Sequence, residues 1–513
     1  MKISAWIPTL CSLSLATSLL AADKPATPEK PAEAAAEKDK KPKDDGSEKK
    51  VISTNSVVIG GQKIEYTATA GVIALRDRED KPVAEIFYIA YTRDDATNLA
   101  KRPVTFSFNG GPGSSSVWMH LGLLGPRRVV LEDDGRAVPP PYRLTDNEWS
   151  LLDETDLVFI DPVGTGYSRA VKPDDARKYF GVAEDTASVA EFIRIYCSRN
   201  LRWQSPKFII GESYGTTRAA ALSGELSRRQ KMNVNGIILV STVLNFQTLS
   251  LSRGNDLPNV LYLPGYTATA WYHKKLPADL QQKPLADVLA EAEKFAAGEY
   301  NTALLAGTGL SVEERRGVVA RLARYTGLST DVVDRLDLRI PLGRFSVELL
   351  RAEDKVSGRF DSRYTGLVRD RAASSAPYDP SAEEVFSAFA STFNTYIRTE
   401  LKYESDRNYE ILAGVGPWNW DAENSFLNVG ETLADALTRN PFLKVEVALG
   451  YYDLATPYYA ARYTFNHLSL PPALAKNITL DYYTAGHMMY LNLPDLKKQK
   501  ADLARFVKSA SGN

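Results

Sequence analysis

The sequence predicts an α/β protein with a mainly parallel central sheet and helices on both faces. Three observations carry this. Strand-like segments occur at residues 104–108, 157–160, 208–210, 236–240, 443–449 and 478–483, and those at 157–160, 208–210 and 236–240 are short, continuous apolar runs, as expected of strands buried on both sides. Stretches with helical spacing at 182–199, 214–229, 458–467 and 501–508 fall between or after them, the alternation that crossover-connected parallel strands require. At 513 residues the chain is long enough for one large domain with insertions, or for several domains.

In chain order, residues 1–22 read as an export signal. Met1-Lys2 is a minimal positive start, residues 3–20 are mostly apolar and small, and Ala21-Ala22 precede Asp23. Cleavage near Ala21 or Ala22 gives a periplasmic or secreted protein; an uncleaved membrane anchor is the alternative. Residues 23–50 are Lys, Pro, Ala, Glu and Asp almost without large apolar side chains, a composition that cannot offset its own ordering entropy and reads as a disordered linker. The main domain is expected over 51–513. It opens with a hairpin whose turn is Gly60-Gly61, followed by a strand at 83–91. Residues 250–425 interrupt the strand–helix rhythm with helical stretches such as 285–297 and 312–325. They read as a helical cap over the carboxyl ends of the strands, with a separate domain as the alternative. Only Cys11 and Cys197 occur. Loss of the signal leaves no partner for a disulfide, and Cys197 reads as a buried structural thiol.

Charge excludes one class of function. With 62 Lys+Arg against 63 Asp+Glu the net charge is −1, which gives no electrostatic case for nucleic-acid binding. No metal-ligand spacing and no Walker-type phosphate loop occur, so no cofactor is expected. The 26 tyrosines and 18 phenylalanines suit a cleft, and equally suit ordinary packing.

Two glycine-flanked segments carry chemistry. Gly211-Glu-Ser213-Tyr-Gly215 follows the run 208–210 and fits the nucleophile elbow, in which a strained strand-to-helix turn lifts a serine hydroxyl above a sheet. Asn109-Gly-Gly-Pro-Gly113 follows the run 104–108 and fits a glycine-rich loop that offers backbone N–H groups to an oxyanion. A serine hydroxyl needs an adjacent base, and the chain has four histidines: His120, His273, His467 and His487. In α/β-hydrolases the order is serine, acid, histidine. His120 precedes Ser213 and is excluded, His273 lies in the expected cap, and His467 suits a helix surface. His487 follows the strand 478–483 on a Gly-containing loop and is the candidate base. Asp453, the first acid beyond the strand 443–449, is the candidate orienting acid, with Asp481 as its rival. Asp161 also ends a strand but precedes the serine, and reads as a structural carboxylate.

These segments resemble the serine carboxypeptidases, an α/β-hydrolase family, as a bacterial-type member. The resemblance rests on Asn109-Gly-Gly-Pro-Gly-Ser-Ser115, Asp161-Pro-Val-Gly-Thr-Gly-Tyr-Ser168, Gly211-Glu-Ser-Tyr-Gly215, Asp453 and Ala485-Gly-His-Met488. It implies Ser213 as nucleophile, His487 as base, Asp453 as orienter, and the Gly111 and Tyr214 N–H groups as oxyanion hole. It also implies Asn109, Gly110 and Glu212 as the set that binds the terminal carboxylate of a peptide with a free C-terminus. There are three departures from the family pattern. Ser114 replaces a cysteine, the chain has Gly215-Thr-Thr-Arg218 where the family tends to Ala-Gly after the elbow, and Leu123 stands where a second glutamate usually shares a proton with the one beside the serine. An esterase or acyltransferase with the same triad, and a non-catalytic binding protein on the same fold, are the alternatives.

Overall fold

The computed structural model describes residues 48–512. The expectations for a signal over 1–22 and for most of the linker over 23–50 lie outside the described residues. Among the described residues ten strands form one sheet: β1 (Lys50–Ile59), β2 (Gln62–Arg76), β3 (Pro82–Arg93), β4 (Val104–Phe108), β5 (Asp156–Ile160), β6 (Arg169–Ala170), β7 (Lys207–Glu212), β8 (Gly236–Val240), β9 (Lys444–Gly450) and β10 (Ile478–Tyr483). Their spatial order is β1-β2-β3-β5-β4-β7-β8-β9-β10, with the short β6 paired to β3. The six strands from β5 to β10 in that order run parallel, and the β1–β3 meander joins β5 antiparallel. This is an α/β-hydrolase fold.

Local chemistry explains the elements. Gly60 and Gly61 have φ of 55° and 81°, the backbone that a tight two-residue hairpin turn requires. Five of the parallel strands, β4, β5, β7, β8 and β9, are buried along nearly their whole length; β10, expected from the sequence as one more strand of this sheet, is an edge strand, and of its residues only Tyr483 is buried. Successive strand residues serve opposite faces. Ile237 and Leu239 join a core formed with helix α1 (Val182–Arg199) and helix α2 (Tyr214–Arg228), while Ile238 and Val240 join a core formed with helix α4 (Pro380–Thr399) and helix α5 (Leu493–Ser511).

The stretch expected as a cap has two allegiances. Its first part, from helix α3 (Leu257–Tyr272) to Leu350, has its own core of residues such as Leu263, Tyr266, Phe295, Leu322 and Phe345, and takes in Leu454 beside Asp453. Helix α4 instead packs Phe389, Phe393 and Tyr396 into the main core. Pro380 at its first turn and Asp379, which accepts from the Ser381 N–H, fix its start. Among the described residues no helix is long and apolar enough to cross a membrane.

Candidate active site

The site lies at the carboxyl ends of β4, β7, β9 and β10. Ser213 follows β7 directly, with φ 59° and ψ −129°, a region that non-glycine residues enter only when the surroundings impose it. The surroundings are tight. A Cβ on Gly211 would lie 2.1 Å from the Gly215 carbonyl oxygen. The Ser213 N–H donates to Val240 O of the neighbouring β8 at 3.0 Å. The departure Thr216-Thr217 holds the turn from the other side. Thr216 Oγ1 donates to Ser213 O at 2.7 Å and accepts from Val243 N–H at 2.9 Å, and Thr217 Oγ1 donates to Val243 O at 2.7 Å.

The glycine loop after β4 lies across this elbow because β4 neighbours β7. A Cβ on Gly110 would sit 2.5 Å from Tyr214 N and 2.6 Å from Gly215 N. Tyr214 is the first residue of α2, so its N–H has no intrahelical acceptor. Among the described residues the Gly111 N–H donates to no protein acceptor. Among the described residues neither amide is taken up by a backbone acceptor.

His487 and Asp453 meet beyond β10 and β9. His487 Nδ1 lies 2.8 Å from Asp453 Oδ2, and both side chains are buried. Asp453 also accepts from the N–H groups of Ala455 (2.7 Å) and Thr456 (2.9 Å) on Oδ1, and from Thr456 Oγ1 (2.7 Å) on Oδ2. Burial alone would lower the basicity of His487, but the adjacent Asp453 charge and hydrogen bond, with Glu212, hold its pKa above the ordinary value. Ser241, at the end of β8, donates to His487 O at 2.6 Å, and Phe360 stacks on the imidazole with ring centres 4.9 Å apart. His487 and Ser213 line the same cavity of about 230 Å³.

The other candidates sort cleanly. His120 is buried, hydrogen-bonded to Tyr91 Oη at 2.8 Å, and pushed down to about 3 by burial. His273 contacts Ser362 O and His467 contacts Tyr463 O. Asp481 sits inside β10 and pairs with Arg505 at 3.4 Å. Asp161 accepts from the N–H and hydroxyl of Ser116 and from Tyr409 Oη, so it ties the segment after the glycine loop to its own strand end. Cys197 is buried, and burial pushes its thiol up to about 11. Among the described residues no group of three or more His, Cys, Asp or Glu could hold a metal.

Glu212 is 4% exposed and lines the cavity with Asn109 and Gly110. Asn109 Nδ2 donates to Glu212 Oε2 at 2.9 Å, and Asn109 Oδ1 accepts from Met119 N–H at 3.2 Å. Burial pushes the Glu212 carboxyl up to about 7, against the opposing pull of His487 and of two hydrogen bonds.

Several contributors carried no local signal. Arg359, Phe360 and Phe386, all from the insertion, line the cavity. Tyr490 donates to Glu212. Arg218, the last residue of the departure after the elbow, donates from Nε to Asp185 Oδ2 and from Nη1 to Asn109 O, both at 2.7 Å. Arg218 and Asp185 are almost wholly buried, so the pair joins α2, α1 and the glycine loop. Replacing Arg218 with methionine strands a buried carboxylate and should cost ~3–5 kcal/mol. Urea unfolding measures it, and a cost near the ~0–1 kcal/mol of exposed pairs would contradict the linking role.

Comparison with known proteins decides the family. The serine carboxypeptidase model (peptidase S10) matches residues 61–487. The chain belongs to the serine carboxypeptidase family. Among curated relatives, the pheromone-processing carboxypeptidase Kex1 of Saccharomyces cerevisiae is 35% identical over 156 residues, covering 28% of this chain and 20% of that protein. Serine carboxypeptidase-like 45 of Arabidopsis thaliana is 25% identical over 208 residues, covering 38% of this chain and 40% of its own. The aligned stretches therefore span well under two thirds of these relatives. The crystal structure of yeast Kex1, a prohormone-processing carboxypeptidase, superimposes with a TM-score of 0.53 at 17% identity, covering 86% of this family member and 92% of that chain. That likeness concerns the fold.

Proposed function

We propose that this protein is an exported serine carboxypeptidase that removes C-terminal residues from peptides through an acyl-enzyme. Ser213 attacks the scissile carbonyl, His487 takes its proton and returns it to the leaving amine, and Asp453 holds the imidazole tautomer and stabilises the imidazolium. The Gly111 and Tyr214 N–H groups stabilise the oxyanion. The observation that carries the reading is the His487–Asp453 hydrogen bond of 2.8 Å on the wall of the cavity that Ser213 also lines. A fluorophosphonate that labels Ser213 separates an enzyme from a binding protein on the same fold.

The exopeptidase part rests on Glu212 with Asn109 and Gly110. A carboxylate oxygen of the substrate needs donors, and a glutamate donates only when protonated. Burial pushes the Glu212 carboxyl up to about 7, from the roughly 4.3 of an unperturbed glutamate. Binding of a free C-terminus should therefore hold below about 7 and weaken above it. His487 acts in the opposite sense, because the base must be neutral, and its raised pKa makes turnover rise with pH. Free-carboxylate peptides should thus show a bell-shaped kcat/KM profile. The matching C-terminal amides should show only the rising limb. Glu212→Gln keeps a donor that needs no proton, and should abolish the alkaline fall. Identical profiles for both substrates would reject carboxylate reading by Glu212 and favour an esterase or acyltransferase.

A further inference from the structure

Two protein groups hold Glu212, and both reach the same oxygen. Asn109 Nδ2 donates to Oε2 at 2.9 Å, and Tyr490 Oη donates to Oε2 at 2.5 Å. Among the described residues no protein group hydrogen-bonds Oε1, and Glu212 lines the cavity that also holds Ser213. Tyr490 is 1% exposed, and its ring has a dedicated seat. A Cβ on Gly122 would lie 2.6 Å from Tyr490 Cε2, so the ring fills the space that any side chain at 122 would claim. Next to Gly122, Leu123 turns into the apolar core. No carboxyl at position 123 faces Glu212; a phenol does.

We propose that Tyr490 is a positioning residue for carboxylate recognition: with Asn109 it fixes Oε2 of Glu212 as an acceptor, so that the proton of Glu212 sits on Oε1 and is donated into the cavity toward an incoming carboxylate. This rests on the reading of Glu212 given above. A carboxylic acid carries its proton on one oxygen, and an oxygen that already accepts two hydrogen bonds is the poorer place for it. The phenol is a lasting donor. Burial, together with the charge of Glu212, pushes the Tyr490 hydroxyl well above its ordinary range, so it keeps its proton where the carboxyl beside it loses its own. A second carboxyl in its place would lose its proton as the pH rose. The charged neighbours are His487, which favours the ionised form of Glu212, Asp453, which opposes it, and Arg359 on the cavity wall.

The consequence is a pH limit that Tyr490 sets. Its hydrogen bond favours the carboxylate, so removing the hydroxyl should raise the pH at which Glu212 loses its proton. The experiment is KM against pH for a blocked peptide with a free C-terminus, with its C-terminal amide as control. Tyr490→Phe keeps the ring in its seat against Gly122. It should move the alkaline limit of the free-carboxylate peptide upward by roughly one pH unit, the size of one hydrogen bond to a charged group, and leave the amide unmoved. Installing 3-fluorotyrosine at 490, a more acidic and stronger donor of nearly the same shape, should move the limit downward. In a Glu212→Gln background neither change at 490 should move anything with pH. A purely structural tyrosine would instead alter KM for both substrates and shift no limit. If the wild type shows the limit and neither variant moves it, Tyr490 does not position the proton while the Glu212 reading stands. If the wild type shows no limit that the amide lacks, both fall.

Discussion

Ser213→Ala is expected to lower kcat by about 10⁶-fold, the loss that removal of a triad serine produces elsewhere, while leaving the fold intact. The two halves of that expectation have separate origins. The elbow is strained at φ 59°, but the strain is imposed by groups other than the Ser213 hydroxyl: the Ser213 N–H bond to Val240 O, the close approach of Gly211 to Gly215, and the Thr216 hydroxyl on Ser213 O. Alanine keeps the backbone and the Cβ and removes only the hydroxyl. Thermal unfolding should therefore match wild type within about 0.5 kcal/mol. Near-normal turnover in this variant would move the nucleophile elsewhere.

Asp453→Asn is expected to lose roughly 10⁴-fold in kcat, and His487→Ala to resemble the serine variant. In Asp453 both oxygens are acceptors, Oδ1 for two backbone N–H groups and Oδ2 for His487 and Thr456 Oγ1. An asparagine must turn its amide nitrogen toward one of these sets. Facing His487 it demands the wrong tautomer. Facing Ala455 and Thr456 it sets donor against donor and should also cost ~1–3 kcal/mol of stability. Neither loss should add to that of Ser213→Ala, the result expected of three side chains that act as one unit. Steady-state kinetics of the single and double variants checks this, and near-full activity in Asp453→Asn would transfer the role to another acid.

Features written in adjacent residues were legible in the sequence. The elbow, the glycine loop and the Gly60-Gly61 turn need particular residues at fixed offsets, and continuous apolar runs mark buried parallel strands. Once those strands are placed, Asp453 and His487 stand out as polar residues just past strand ends. Features made by residues distant in the chain were not legible. Tyr490 looks like one more tyrosine after His487 until the fold sets it against Gly122 and Glu212. Arg218 registered only as a break from the family pattern, because Asp185 and the Asn109 carbonyl reach it through α1 and β4. The insertion read as a single helical block; that α4 belongs to the main core depends on Phe389, Phe393 and Tyr396 meeting strands some three hundred residues earlier, such as β3 with Tyr91.

The most direct measurement of the central claim is product analysis by mass spectrometry on an N-terminally blocked peptide with a free C-terminus, beside its C-terminal amide, at a pH below about 7, the value to which burial pushes the Glu212 carboxyl. The triad and carboxylate readings together predict stepwise loss of single residues from the free C-terminus, little or none from the amide, and no products with Ser213→Ala. Internal cleavage, equal attack on both peptides, or undiminished release by Ser213→Ala would contradict them.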